Sequence, residues 1–151
     1  SSDTFTAHRD VVNLFGSARY LGEDAGMAAL QDLAMLAAMY AMFAGAYHAF
    51  AMVSSVGVEA TDFAGPLGGW LRAMTASLPG AAALIDAGDF STDVQDLEFT
   101  RMALDTIIQA TDEAGVGSDV LEPVRAMVER QIIAGHGDDH FNRMIESIRT
   151  Q

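Results

Sequence analysis

Neither cysteine nor lysine occurs among the 151 residues of this chain, and proline occurs only three times. The first absence excludes a disulfide, a thiol nucleophile and a thiolate metal site. The second excludes a Schiff-base lysine and the lysine of a phosphate-binding loop, because all eight basic residues are Arg. Those eight stand against 21 acidic residues, a net charge of −13. Such a balance argues against nucleic acid and anionic membrane surfaces as partners. Ser1–Asp10 is polar and mixed in charge, so no signal peptide is read there, and a cytoplasmic location is expected. Three nucleotide and hydrolase signatures are also missing: the GxGxxG turn after a strand, the P-loop and the Gly-x-Ser-x-Gly elbow. Gly65–Pro66–Leu67–Gly68–Gly69 precedes a helix but has neither the spacing nor the strand.

What is present is apolar. Half of the residues are hydrophobic, enough for one domain with a core. They concentrate in LQDLAMLAAMYAMFAGAYHAFAMV, Leu30–Val53, where Asp32 is the one formally charged side chain. The stretch is long enough to span a membrane. Its bulk of Ala, Gly and Met, its His48 and its lack of flanking basic clusters favour a central or subunit-interface helix instead.

Asp32 lies about two turns inside that helix, too deep for a cap on a start near Glu23–Asp24. At about 100° per residue, Met39, Phe43 and Phe50 fall on its line, flanked by Leu36 and Tyr40. An acid desolvated on such a face suits proton transfer. Two readings stay open on the residues alone. Asp32 is a structural acid pairing with an Arg such as Arg72 or Arg101, or it is a proton donor or acceptor in an apolar pocket.

Nearly every segment reads helical. Helices are predicted at Thr4–Phe15, Asp24–Ser55, Pro66–Met74, Ala81–Ala87, Val94–Ala114, Val120–Ala134 and His140–Thr150, with a brief strand at Ala18–Leu21. Leu78–Pro79–Gly80 is expected to break the chain. The fold class is all-α, a bundle around one over-long helix of about 45 Å. His48 is expected as a neutral core histidine with one hydrogen bond, and the acidic run Asp93, Asp96 and Glu98 as a solvated face. His136-Gly-Asp-Asp-His140 has metal-like spacing, but Gly135 and Gly137 leave only His140 helical. A capped helix start explains the same residues, and no metal is expected.

Four segments also carry a resemblance: YLGEDAGMAALQDLAMLAAMYAMFAGAYHAF, GVEATDF with the following Trp70, LPGAAALIDAGDF, and AGHGDDHFNRMIESIR. From about Tyr20 to Ile148 they resemble the C-terminal half of NADPH-dependent imine reductases and reductive aminases, relatives of the β-hydroxyacid dehydrogenases. The resemblance implies a helical domain of the 6-phosphogluconate dehydrogenase C-terminal type, intertwined as a homodimer. It makes residues 1–22 the end of an N-terminal Rossmann domain and 23–151 the dimerisation and substrate domain, a fragment inactive alone. It puts NADPH mainly on the other domain and implies an imine, ketone or amine substrate. Asp32 falls on the family's proton-transfer position, with Gln31 where many members have Tyr. Tyr40 matches a pocket tyrosine, Trp70 an aromatic substrate contact, and Thr100 a position where many relatives have Gln. Leu36, Met39 and Phe43 would shape the pocket. A β-hydroxyacid dehydrogenase-type domain, or a self-association module that leaves Asp32 without a purpose, is the alternative.

Overall fold

The computed structural model describes residues 1–149. They fold as seven α-helices in chain order, and the all-α expectation holds. These are α1 (Ser2–Val12), α2 (Met27–Ser54), α3 (Ala60–Thr75), α4 (Leu78–Ala87), α5 (Leu97–Glu113), α6 (Glu122–Ile133) and α7 (Ile145–Ile148). A 3-10 turn, Phe141–Met144, precedes α7. The only strand-like pairing among the described residues is an isolated antiparallel bridge between Asp96 and His140. Ala18–Leu21 is therefore not a strand. Four residues without a neighbouring chain to receive their hydrogen bonds cannot hold one.

Two compact units divide the chain within α2, Ser1–Phe43 and Ala44–Gln151. In the first, Ser1 caps α1, accepting from the Thr4 amide, and the Phe5 and Tyr20 rings lie 5.4 Å apart. Asn13 ends α1 and its side chain accepts from the Ala18 amide at 2.9 Å, turning the chain toward α2.

The second unit holds the core. Leu97, Leu104 and Val128 are its buried centre, with Val124, Ile132 and Met144 against it. Leu97 and Leu104 sit seven apart on α5 and Val124, Val128 and Ile132 four apart on α6, so each helix turns one apolar stripe inward. Outside the stripe, Arg101 pairs with Glu98 and Asp105, and Arg125 with Asp105 and Glu122. His48 is buried and its Nε2 meets the Thr111 hydroxyl at 3.2 Å, the core histidine that the sequence suggested.

Most predicted helix ends move by one to three residues, and three of the differences have a specific cause. Pro66 is not the first residue of its helix but lies inside α3, which starts at Ala60 after an extended Glu59. A proline there removes the hydrogen bond to the Asp62 carbonyl, which water can replace because both residues are exposed. Pro79 sits in the first turn of α4 rather than breaking the chain, since a first-turn residue needs no amide hydrogen. The predicted final helix is a 3-10 turn plus one short helix, with His140 as its cap, and its predicted end, Thr150, lies outside the described residues. Asp96 is not merely solvated either: its carboxylate caps α5 at the Phe99 amide, 2.7 Å away.

Candidate functional site

Five of the seven candidate residues share one stretch of α2 in the first unit: Asp32, Leu36, Met39, Tyr40 and Phe43. Leu36, Met39 and Phe43 lie within about 40° of the Asp32 line around the helix, and Tyr40 about 80° round from it. Helical rise puts Tyr40 about 12 Å along the axis from Asp32. The helix can form here because Ala, Leu, Met and Gln are strong helix formers and nothing between Met27 and Ser54 is Pro.

One expectation fails within the chain. Asp32 is exposed, not desolvated, as are Leu33, Met35 and Tyr40 around it. No stretch of α2 before His48 is buried, because α2 is apolar on every side and one chain covers only part of it. The proposed structural partner Arg101 is committed to Glu98 and Asp105.

Trp70 and Thr100 lie on separate helices of the second unit. Trp70 is 65% exposed on α3 and lies outside the core. Thr100 is half-buried in the first turn of α5, and its hydroxyl donates to the Asp96 carbonyl at 2.8 Å. With its proton so committed, its oxygen can only accept from a ligand.

The His136–His140 segment, which resembles a metal motif, is occupied with internal contacts. His136 Nδ1 faces Asp139 at 3.2 Å and its Nε2 lies 2.6 Å from the Arg143 guanidinium. Guanidinium nitrogens only donate, so Nε2 accepts and Nδ1 carries the hydrogen toward Asp139. His140 Nδ1 accepts from the Asn142 amide at 3.1 Å. Among the described residues no cluster of His, Asp and Glu is arranged to hold a metal. Sequence reasoning overlooked Arg143, whose only signal was its place three residues after His140.

A shallow recess in the first unit, lined by Arg9, Asn13, Gly16, Ser17 and Ala18, encloses about 330 Å³. Its lining residues include no strand and no glycine-rich helix start, so they do not form a dinucleotide cradle. The described residues therefore do not by themselves fit a nicotinamide dinucleotide.

Residues 24–150 match the family described as NADPH-dependent reductive aminase-like, C-terminal domain. An NADPH-dependent reductive aminase of Aspergillus oryzae is 36% identical over 149 residues, covering 97% of this chain and 50% of the relative. The structure superposes with a TM-score of 0.88 on an Aspergillus terreus reductive aminase in complex with NADPH4, cyclohexanone and allyl amine. That enzyme is 40% identical, over 97% of this chain and 51% of its own. An imine reductase from Bacillus cereus, only 23% identical, shares the fold at a TM-score of 0.91, over 100% of this chain and 53% of its own. The chain thus spans about half the length of the relatives it matches. It belongs to the family of reductive aminase-like C-terminal domains.

Proposed function

We propose that this chain is the substrate-binding and dimerisation part of an oxidoreductase that reduces C=N bonds to amines with NADPH. The observation that carries the proposal is a single carboxylate, Asp32, on an otherwise uncharged helix of a chain matched to the reductive aminase-like family over residues 24–150. Residues 1–22 would then be the end of a nucleotide-binding domain, and that domain would hold most of the NADPH. When bound, NADPH supplies hydride to the imine carbon.

This chain's own residues do the rest. Asp32 gives a proton to the imine nitrogen, or holds an iminium cation by its negative charge, and in reductive amination takes a proton from the amine. Leu36, Met39, Tyr40, Phe43 and Trp70 present apolar surface to the organic part of the substrate and keep water from it. Thr100, able only to accept, receives an N–H of the amine.

A second copy of the chain would cover α2 and supply the desolvation that Asp32 lacks in one chain. The segment Gly26–Ser54 is long and apolar enough to cross a membrane by length and composition. A homodimer would cover the same surface without a membrane. The alternative of a self-association module keeps the dimer but assigns Asp32 no task.

The test uses NADPH with a cyclic imine such as 1-pyrroline, followed at 340 nm. The 151-residue chain alone should leave the absorbance flat. The full-length protein as encoded should turn over, and Asp32→Asn should lower its kcat about 100-fold or more. Turnover by the chain alone would refute the division of labour, and a fully active Asp32→Asn enzyme would refute the role of the acid.

A further inference from the structure

We infer that Arg143 is a positioning residue: through the loop His136–His140 it fixes the first turn of α5, and with it Thr100. The substrate consequence rests on Thr100 belonging to the pocket proposed above.

A helix start leaves its first amides without intrahelical partners. In α5 the Leu97, Glu98 and Phe99 amides all find partners outside the helical ladder. The Leu97 amide donates to the Asp139 carbonyl at 2.9 Å and the Glu98 amide to the Gly137 carbonyl at 3.2 Å. The Phe99 amide donates to the Asp96 carboxylate at 2.7 Å, and the Thr100 amide to the Asp96 carbonyl at 3.0 Å. The Thr100 hydroxyl goes to that same carbonyl, and Asp96 is bridged to His140. The turn that carries Thr100 is thus held by a loop about forty residues away in sequence.

Arg143 holds the loop. Its guanidinium lies 2.6 Å from His136 Nε2, 3.7 Å from Asp139 and 3.4 Å from the Gln131 side chain. It also stacks over the Phe90 ring, 4.9 Å from the centroid. Phe90 is buried, and its carbonyl accepts from the His140 amide at 2.7 Å. One planar fork therefore ties α6, the loop before α5 and the loop after α6 together. A point charge on a flexible stem cannot make this set of contacts. Gly137 marks the same junction from the other side. A Cβ there would meet Glu98 Cγ at 3.2 Å, pressing on the turn that carries Thr100.

The experiment measures amide hydrogen exchange and kinetics on the full-length protein. Arg143→Gln should raise exchange at Leu97 and Glu98 at least tenfold while amides in the middle of α5, such as Leu104, keep their protection. It should raise KM for the carbonyl or amine partner at least threefold with KM for NADPH unchanged. Arg143→Lys should recover less than half of either effect, and Gly137→Ala should change both in the same direction as Arg143→Gln. Thr100→Val should raise the substrate KM without altering exchange at Leu97. Unchanged exchange in both Arg143→Gln and Gly137→Ala would overturn the inference. Faster exchange with an unmoved KM, in an enzyme where Thr100→Val does raise KM, would overturn it as well. A full-length protein that reduces no imine refutes the proposed function instead, and the exchange rates still decide whether Arg143 fixes the turn.

Discussion

Replacing Thr111 with Val tests how the end of α2 that carries His48 is held to α5. Thr111 is fully buried, and its hydroxyl donates to the Ile107 carbonyl at 2.8 Å. A hydroxyl has one proton, so the 3.2 Å contact with His48 must have Nε2 donating. Val has nearly the shape of Thr, so the change leaves packing intact and strands one buried N–H. Such an orphan costs about 1–3 kcal/mol. For a chain of this size each kcal/mol moves Tm by about 2–4 °C, so a fall of about 2–12 °C is expected. Thr111→Ser keeps the donor's partner and loses one methyl, about 1 kcal/mol. The double variant His48→Leu with Thr111→Val removes both polar partners and should recover part of the loss. A coupling of about 1–2 kcal/mol in the double-mutant cycle is expected. Urea and thermal unfolding at fixed protein concentration measure it, because self-association would make Tm concentration-dependent. A Thr111→Val protein as stable as the parent would refute the hydrogen-bond assignment, and strict additivity would refute the pairing.

Three other outcomes are expected. Leu97→Ala should cost about 2–5 kcal/mol in the same unfolding assay, since Leu97 is fully buried at the centre of the core; a loss under 1 kcal/mol would mean that the core lies elsewhere. Sedimentation should give twice the 16.0 kDa chain mass in detergent-free buffer, and a soluble monomer at every concentration would remove the explanation for the apolar α2. The Ser91 hydroxyl and amide both donate to Asp89, at 2.7 and 3.0 Å, and hold its carboxyl below the usual range for Asp. With a lowered folded-state pKa, the stabilisation exists above the unfolded pKa and is lost as pH falls through the folded one. An NMR titration should place the Asp89 midpoint below that of an ordinary Asp, and Ser91→Ala should return it upward.

The helical class was legible because it depends on local pattern. Val124, Val128 and Ile132 recur at helical spacing, and Gly57 and Gly88 supply the positive φ at which α2 and α4 stop. The tasks of Pro66 and Pro79 were not legible, since one residue type serves at the start of a helix and, where water can reach the freed carbonyl, inside one. The sequence also marked His48 as a buried histidine with one partner; only the fold could name Thr111, sixty-three residues away.

The candidate site divides in the same way. Asp32 could be singled out from the sequence because one charge in an apolar run is visible without coordinates. Its surroundings could not, because burial depends on what packs against a helix, and one chain leaves this acid exposed. His136, Asp139 and Arg143 show the converse. The spacing of His136 and His140 suggested a metal or a simple cap, and the fold brings the guanidinium of Arg143, unnoticed in the sequence, to 2.6 Å from His136. A group with five donors and no acceptor can occupy that lone pair, and it thereby ties the end of the chain to the start of α5. Local periodicity determined what kind of elements this protein has, and contacts between residues far apart in sequence determined what each polar side chain faces.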